Sequence, residues 1–204
     1  MPGNLLHLMQ KAAESVRTDE SKIYGVEPAI VTNNKDPDKL GRIKVCFTRL
    51  EGKPESDWIR VIQTHAGKER GWYWVPHVND EVLVSFERGE PNRGYVIGSL
   101  WSKTDMPPKK GYTDKNEKWH IRTKSGHEIT FDVEKKKFII QADIGDIEIL
   151  AEKKIFMKCE ELVIETSKNA GLKIGGDMNI EVSKKLNAKA GPQINMKAGR
   201  INLN

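Results

Sequence analysis

Cysteine is nearly absent: Cys46 and Cys159 are the only two in 204 residues. They lie far apart, each in a strand-like context. That excludes a disulfide framework or a cysteine metal cage and leaves two buried free thiols as the expectation. No apolar run approaches 18 residues, so no membrane-spanning helix is expected. The N-terminus is too poor in apolar residues for a secretory leader, because Leu5, Leu6, Leu8 and Met9 are followed by Lys11, Glu14 and Arg17. Synthesis and assembly in the cytoplasm are therefore expected. The five histidines, His7, His65, His77, His120 and His127, never fall at His-x-His spacing. Asp80 and Glu81 are neighbours on a strand and point to opposite faces, so they make no acid/base pair. No cofactor and no catalytic constellation is expected, and the chain is read as a non-enzyme. Basic clusters are scarce too. The net charge is +5, but lysines are interspersed with glutamates, and the one run of three, Lys135 to Lys137, sits between two strands as a solvated turn. No nucleic-acid partner is expected.

What the chain does have is a count of eight. From residue 147 the buried-type residues come in alternating triplets: Ile147, Ile149, Ala151; Ile155, Met157, Cys159; Leu162, Ile164, Thr166; Ala170, Leu172, Ile174; Met178, Ile180, Val182; Leu186, Ala188, Ala190; Ile194, Met196, Ala198; then Ile201 and Leu203. Triplet starts step by 8, 7, 8, 8, 8, 8 and 7. Alternation inside a triplet means a strand with one dry face, and a short fixed period means a stack of such strands. Gly145, Gly171, Gly175, Gly176, Gly191 and Gly199 fall near the turns, where positive φ is expected. The outward positions are mostly charged or polar, among them Glu148, Lys158, Glu165, Lys173, Glu181, Lys189 and Lys197. A dry face must meet others. One chain winding three units per turn would close fewer than three coils, a thin core for a repeat protein. Three chains, each giving one strand to every layer, would build a prism about 38 Å tall from eight layers at roughly 4.8 Å. The trimer is the expectation. The calcium-binding nonapeptide repeat is excluded, since Asp is scarce and its glycine signature is absent.

Ahead of the repeat, residues 1–22 carry Leu5, Leu8, Met9, Ala12, Ala13 and Val16 at helical spacing, which predicts a short amphipathic helix that docks on its own domain or on a partner. Residues 23–102 are predicted as five or six short strands: Tyr24 to Thr32, Leu40 to Phe47, Trp58 to Thr64, Trp72 to Pro76, Asp80 to Glu87 and Gly94 to Trp101. So many short strands in 80 residues suggest a small closed barrel such as the OB-fold. The aromatics Trp58, Trp72, Tyr73, Trp74, Phe86 and Trp101 are read as barrel core and trimer contact in preference to a stacking platform for single strands or sugars. Residues 103–118, with Pro107 and Pro108, form an extended linker. Strands Trp119 to Thr123, His127 to Val133 and Phe138 to Ala142 then lead into the repeat, the first two joined at Ser125-Gly126.

The barrel region carries a dense run of words. These are Asp36-Pro37-Asp38-Lys39-Leu40-Gly41-Arg42-Ile43-Lys44-Val45, Trp58-Ile59-Arg60-Val61, Gly71-Trp72 and Pro76-His77-Val78-Asn79-Asp80-Glu81-Val82-Leu83-Val84-Ser85-Phe86-Glu87-Arg88-Gly89-Glu90-Pro91. The last is Val96-Ile97-Gly98-Ser99-Leu100-Trp101. In this order they resemble the phage baseplate assembly protein V and VgrG spike family, and Lys124 to Asp132 resembles that family's entry into its triple-stranded β-helix. The resemblance covers roughly residues 23–204. It implies an all-β chain: an OB-fold at 23–102, then an intertwined trimeric β-helix at 119–204, with the N-terminal helix docking on a hub. It also implies a structural role as the central spike of a contractile tail or injection system, ending in a particle outside the cell. The expected partners are two further copies, a hub protein at the end of the tail tube, and a PAAR-type tip protein on the open last layer. Some family members hold iron at the apex through His-x-His. Residues 191–204 contain no histidine, so that site is not expected here. A hub domain, a lysozyme insert and a C-terminal effector found in larger members have no counterpart within these 204 residues, so a minimal, separate spike subunit is expected.

Overall fold

The computed structural model describes residue 9 and residues 22–109 and 111–202. The expected N-terminal helix falls, but for Met9 and Lys22, outside the described residues, as does Leu203. The chain divides into two compact units, Met1–Ile149 and Leu150–Asn204.

Among the described residues from Lys22 to Ile149 the first unit is all-β apart from one turn of 3-10 helix, Glu87–Gly89. Its strands are β1 (Val26–Asn33), β2 (Lys44–Cys46), β3 (Arg60–Val61), β4 (Ala66–Gly67), β5 (Arg70–Gly71), β6 (Glu81–Phe86), β7 (Gly94–Leu100), β8 (Lys118–Arg122), β9 (His127–Asp132) and β10 (Lys137–Ala142). Five of them form one sheet in the order β2-β1-β6-β7-β3. Its ends meet. Ile43, just before β2, and Ile59, just before β3, exchange backbone hydrogen bonds of 3.0 and 2.9 Å. The sheet therefore closes on itself and leaves few free edges. Register shifts between Val31 and Asn33 and between Leu83 and Val84 mark irregularities of the kind that bend strands around a small barrel.

Alternation explains the interior. Val82, Val84 and Phe86 of β6 point inward with Ala29 and Val31 of β1, Ile43, Val45, Phe47, Ile59 and Val96. Six of these side chains are fully buried, and each contributes roughly 1.5–3 kcal/mol by leaving water. Phe47 and Phe86 pack together in this core with ring centroids 5.7 Å apart.

Three strand expectations are corrected, and the first is Trp58 to Thr64, which is reduced to the two residues of β3. The Leu40–Phe47 strand is shorter, because Gly41 has φ 73° and the Asp36 carboxylate holds the amides of Leu40 and Arg42 in a loop. Trp72 to Pro76 is not a strand. The Gln63 side chain takes the place of a neighbouring strand there: its Oε1 accepts from the Trp74 amide at 3.3 Å and its Nε2 donates to the Trp74 carbonyl at 3.1 Å. The preceding residues make the small β4-β5 hairpin. At Gly71, φ is 137° and an added Cβ would lie 2.4 Å from the His65 carbonyl oxygen, so only glycine fits.

A separate three-stranded antiparallel sheet, β8-β9-β10, follows the linker. The second unit is different in kind. Among its described residues it has no helix and no paired strand. Its backbone is interrupted by bends at 152–153, 160, 167–168, 175–176, 183–184, 191–192 and 199, so the bends recur every seven or eight residues, in step with the sequence repeat. None of Gly171, Gly175, Gly176, Gly191 and Gly199 takes a positive φ, against the expectation for turn glycines; each has open space where a Cβ would be.

Candidate functional site

No group of three potential metal ligands occurs among the described residues. The features with functional content are surfaces.

The first is the β8-β9-β10 sheet. Strand pairing fixes its two faces. Trp119, Phe131 and Phe138 lie side by side across the strands, with ring centroids 6.3 and 5.0 Å apart. Ile121, Ile129 and Ile140 share their face by register. The opposite face carries Lys118, His120, Arg122, Glu128, Thr130 and Asp132. The polar face is the covered one: Glu128, Thr130 and Asp132 are buried, whereas Trp119, Phe131, Phe138 and Ile140 are exposed. In a single chain this sheet is inside out.

The covered side is held by charge. His120 and Glu128 side chains are each 4% exposed and lie 3.2 Å apart. A carboxylate only accepts, so His120 Nε2 donates to Glu128; His120 Nδ1 is buried with no partner, against Gly111. Arg122 bonds both Glu128 and Asp143, the latter at 2.8 Å. Asp143 first and Glu128 second push the guanidinium pKa above its ordinary value. Lys118 reaches Asp132 at 3.7 Å.

The second surface is the repeat itself. Among the residues expected at its dry faces, Ile155, Met157, Leu162, Ile164, Leu172, Ile174, Met178, Ile180, Val182, Leu186, Ile194, Met196 and Ile201 are all exposed in one chain, as are Ile147 and Ile149 just before it. Cys159 is exposed and Cys46 half-buried, so the expected burial of both thiols is not met within one chain. Leu150, Phe156 and Val163, at outward positions of the first layers, are apolar and exposed too; reading only the inward triplets passed over them.

The barrel words are placed as follows. The Asp36 side chain, 3% exposed, accepts from Arg42 Nε and Nη2 and from the amides of Asp38, Leu40 and Arg42; Arg42 also pairs with Asp38. Gly41 lies against the Tyr73 ring. Lys44 Nζ sits 5.6 Å from the Trp58 ring centre, and Arg60 stacks on Tyr95 at 4.7 Å. Asn34 donates to the Pro76 carbonyl, and the His77 amide to Asp80 Oδ2 at 2.7 Å. Glu81 opens β6 between Ile30 and Leu100, Val82 and Phe86 are core, and Gly98 pairs with Leu83. Gly89, at φ 78°, accepts from the Ile23 amide. Of the aromatics expected in the barrel core or at trimer contacts, Phe86 alone lies in the buried core. Trp58 is half-buried, while Trp72, Tyr73, Trp74 and Trp101 are 49–72% exposed. Strand-like composition does not say which residues of an aromatic run the barrel will cover.

The Asp36 cluster makes a pH prediction. The Arg42 guanidinium, then three backbone amides, hold the Asp36 carboxyl well below its ordinary value of 3.8. A depressed folded-state pKa contributes stability that is complete above the unfolded value and is lost as pH falls through the folded one. The melting-temperature gap between the native chain and Asp36→Asn should be constant above pH about 5 and shrink below about 4. A gap that persists unchanged at pH 2 would assign the loop's stability to something other than this carboxylate.

Residues 27–101 match the type VI secretion system/phage-baseplate injector OB domain. The barrel is similar to that family's domain over this stretch. This chain is similar to the type VI secretion system spike protein VgrG1a of Pseudomonas aeruginosa, at 34% identity over 94 residues, which are 42% of this chain and 15% of that protein. It is similar also to the type VI secretion system spike protein VgrG3 of Vibrio cholerae, 35% identical over 75 residues, or 35% of this chain and 7% of that one. The actin cross-linking toxin VgrG1 of Vibrio cholerae matches over 75 residues at 33% identity, with the same shares. The chain thus spans a small part of the curated relatives it matches, and the part in common is the injector OB domain. No helix among the described residues is long and apolar enough to cross a membrane.

Proposed function

We propose that three copies of this chain form the central spike of a contractile tail or injection machine, with a mechanical and not an enzymatic role. In this reading residues 1–22 dock on the hub at the end of the tube, the OB domain at 23–102 joins them, 103–118 connect, and 119–204 form the intertwined β-helix that pierces the target envelope when the sheath contracts. A tip protein of PAAR type covers the last layer.

The observation that carries the reading is the second unit. More than fifty residues with regular bends, exposed apolar side chains and no backbone ladder of their own cannot offset the conformational entropy of a fixed shape. Other strands must supply the missing hydrogen bonds, and a period with one dry face is met by identical chains around a threefold axis. The inside-out sheet supports the same conclusion, since its aromatic face has no cover among the described residues. Strands shared among three chains resist shear, because sliding one breaks many hydrogen bonds together.

Light scattering on a sizing column is the test. A mass three times 23.1 kDa with elongated behaviour is expected. A stable monomer would overturn the trimeric spike. It would also bring forward a second reading, favoured by the exposed Trp72, Tyr73, Trp74 and Trp101: an OB module that stacks single-stranded nucleic acid or sugars on these rings. Salt-sensitive oligonucleotide binding would then be its signature.

A further inference from the structure

Eight near-identical apolar layers pose a problem of register. Slipping one chain by a single repeat puts one triplet where another stood, and the dry faces match almost as well as before. Something outside the core must distinguish the correct alignment.

Each triplet leaves two outward positions. The second of these reads Leu150, Lys158, Glu165, Lys173, Glu181, Lys189, Lys197. From Lys158 to Lys189 the sign alternates at every step, and the alternation ends at Lys197. Among the described residues none of these five charges has an ion pair within its own chain. The first outward position, by contrast, is neutral over the last four layers, where Asn179, Asn187, Asn195 and Asn202 follow one another.

The bend after every repeat gives this alternation a meaning. If three chains each give one strand per layer, a bend carries each chain to the next face of the prism. On any one face, strand n of a chain then lies between strand n−1 of one neighbour and strand n+1 of the other, about 4.8 Å away. We infer that Lys158, Glu165, Lys173, Glu181 and Lys189 form a column of alternating charge between chains, which fixes the register of the three strands, and that the partner surface is a second copy of this chain. The inference rests on the trimeric β-helix proposed above. In the correct register every contact in the column joins opposite signs. Slipped by one repeat, Lys158 meets Lys173 and Glu165 meets Glu181. The column thus works against the wrong alignment as well as for the right one.

The test uses full-length chains. In one variant all five charges are inverted: Lys158→Glu, Glu165→Lys, Lys173→Glu, Glu181→Lys and Lys189→Glu. In a second, only Glu165→Lys and Glu181→Lys are made, so the whole column is positive. The fully inverted chain should form a trimer melting within a few degrees of the native one. The all-positive chain should melt at least about 5 °C lower at low salt, with most of the difference removed in 1 M salt. Co-expressed with differently tagged native chains, the inverted chain should be recovered almost entirely in unmixed trimers. Mixed trimers in binomial proportion, or an all-positive chain that melts like the native one, would overturn the charge column while leaving the trimer standing. A native chain that is not trimeric would overturn the column together with the reading beneath it.

Discussion

An Ile180→Asp chain is expected to elute as a monomer of 23.1 kDa, with the barrel intact and the repeat unassembled. Within one chain Ile180 is 62% exposed, so the carboxylate meets water and the substitution leaves the isolated chain unharmed. The whole cost falls on association. In a threefold prism the same change places three carboxylates in one dry layer around the axis. An unpaired buried charge costs at least several kcal/mol or forces protonation, and the three also repel one another. The lost apolar contacts add about 1.5–3 kcal/mol for each side chain. Ile164→Asp, two layers away, should behave in the same way. Lys173→Asp, on the outward side, should remain trimeric, with at most a lowered melting temperature. Light scattering on the three purified chains decides the matter. A trimeric Ile180→Asp would mean that the inward set is misassigned and that the triplets face solvent.

The two parts of the chain were legible to different degrees. Barrel strands could be read because Val82, Val84 and Phe86 alternate with Leu83 and Ser85, and a period of two has one structural meaning. Closure at Ile43 and Ile59 could not, since it depends on residues sixteen apart meeting across the barrel. The run Trp72-Tyr73-Trp74 has strand composition, yet its backbone is satisfied by the Gln63 side chain, and local propensity carries no trace of that. In the second sheet, alternation revealed two faces without saying which one the chain covers. An apolar face is normally the buried one, and here the polar face is. The cluster of His120, Arg122, Glu128 and Asp143 left no signal, because strand register and a chain reversal bring its members together. The repeat was the reverse case: its period was plain in the sequence and returns as bends, while the cover for its exposed apolar face lies outside what any one strand's pattern encodes.

Glu128→Ala is expected to loosen the β8-β9-β10 sheet from within. Glu128 is buried on the covered face and is the acceptor for both His120 and Arg122. Removing it leaves His120 with a second unpartnered ring nitrogen, since Nδ1 already has none, and leaves Arg122 with Asp143 as its remaining carboxylate. Taking one partner from a buried charge pair costs on the order of 3 kcal/mol. Expressed as local opening, that speeds amide exchange across β9 by roughly a hundredfold. Glu128→Gln should fall between, because its amide oxygen still accepts from His120 while the charge facing Arg122 is gone. Exchange in the barrel strands β1 and β6 should be unchanged in both, since their core of Val31, Val82 and Val84 shares no side chain with this cluster. Uniform acceleration of both sheets would mean that barrel and second sheet open as one unit. Unchanged β9 exchange in Glu128→Ala would show that the aromatic face, once covered by neighbouring chains, holds the sheet without help from the charges behind it.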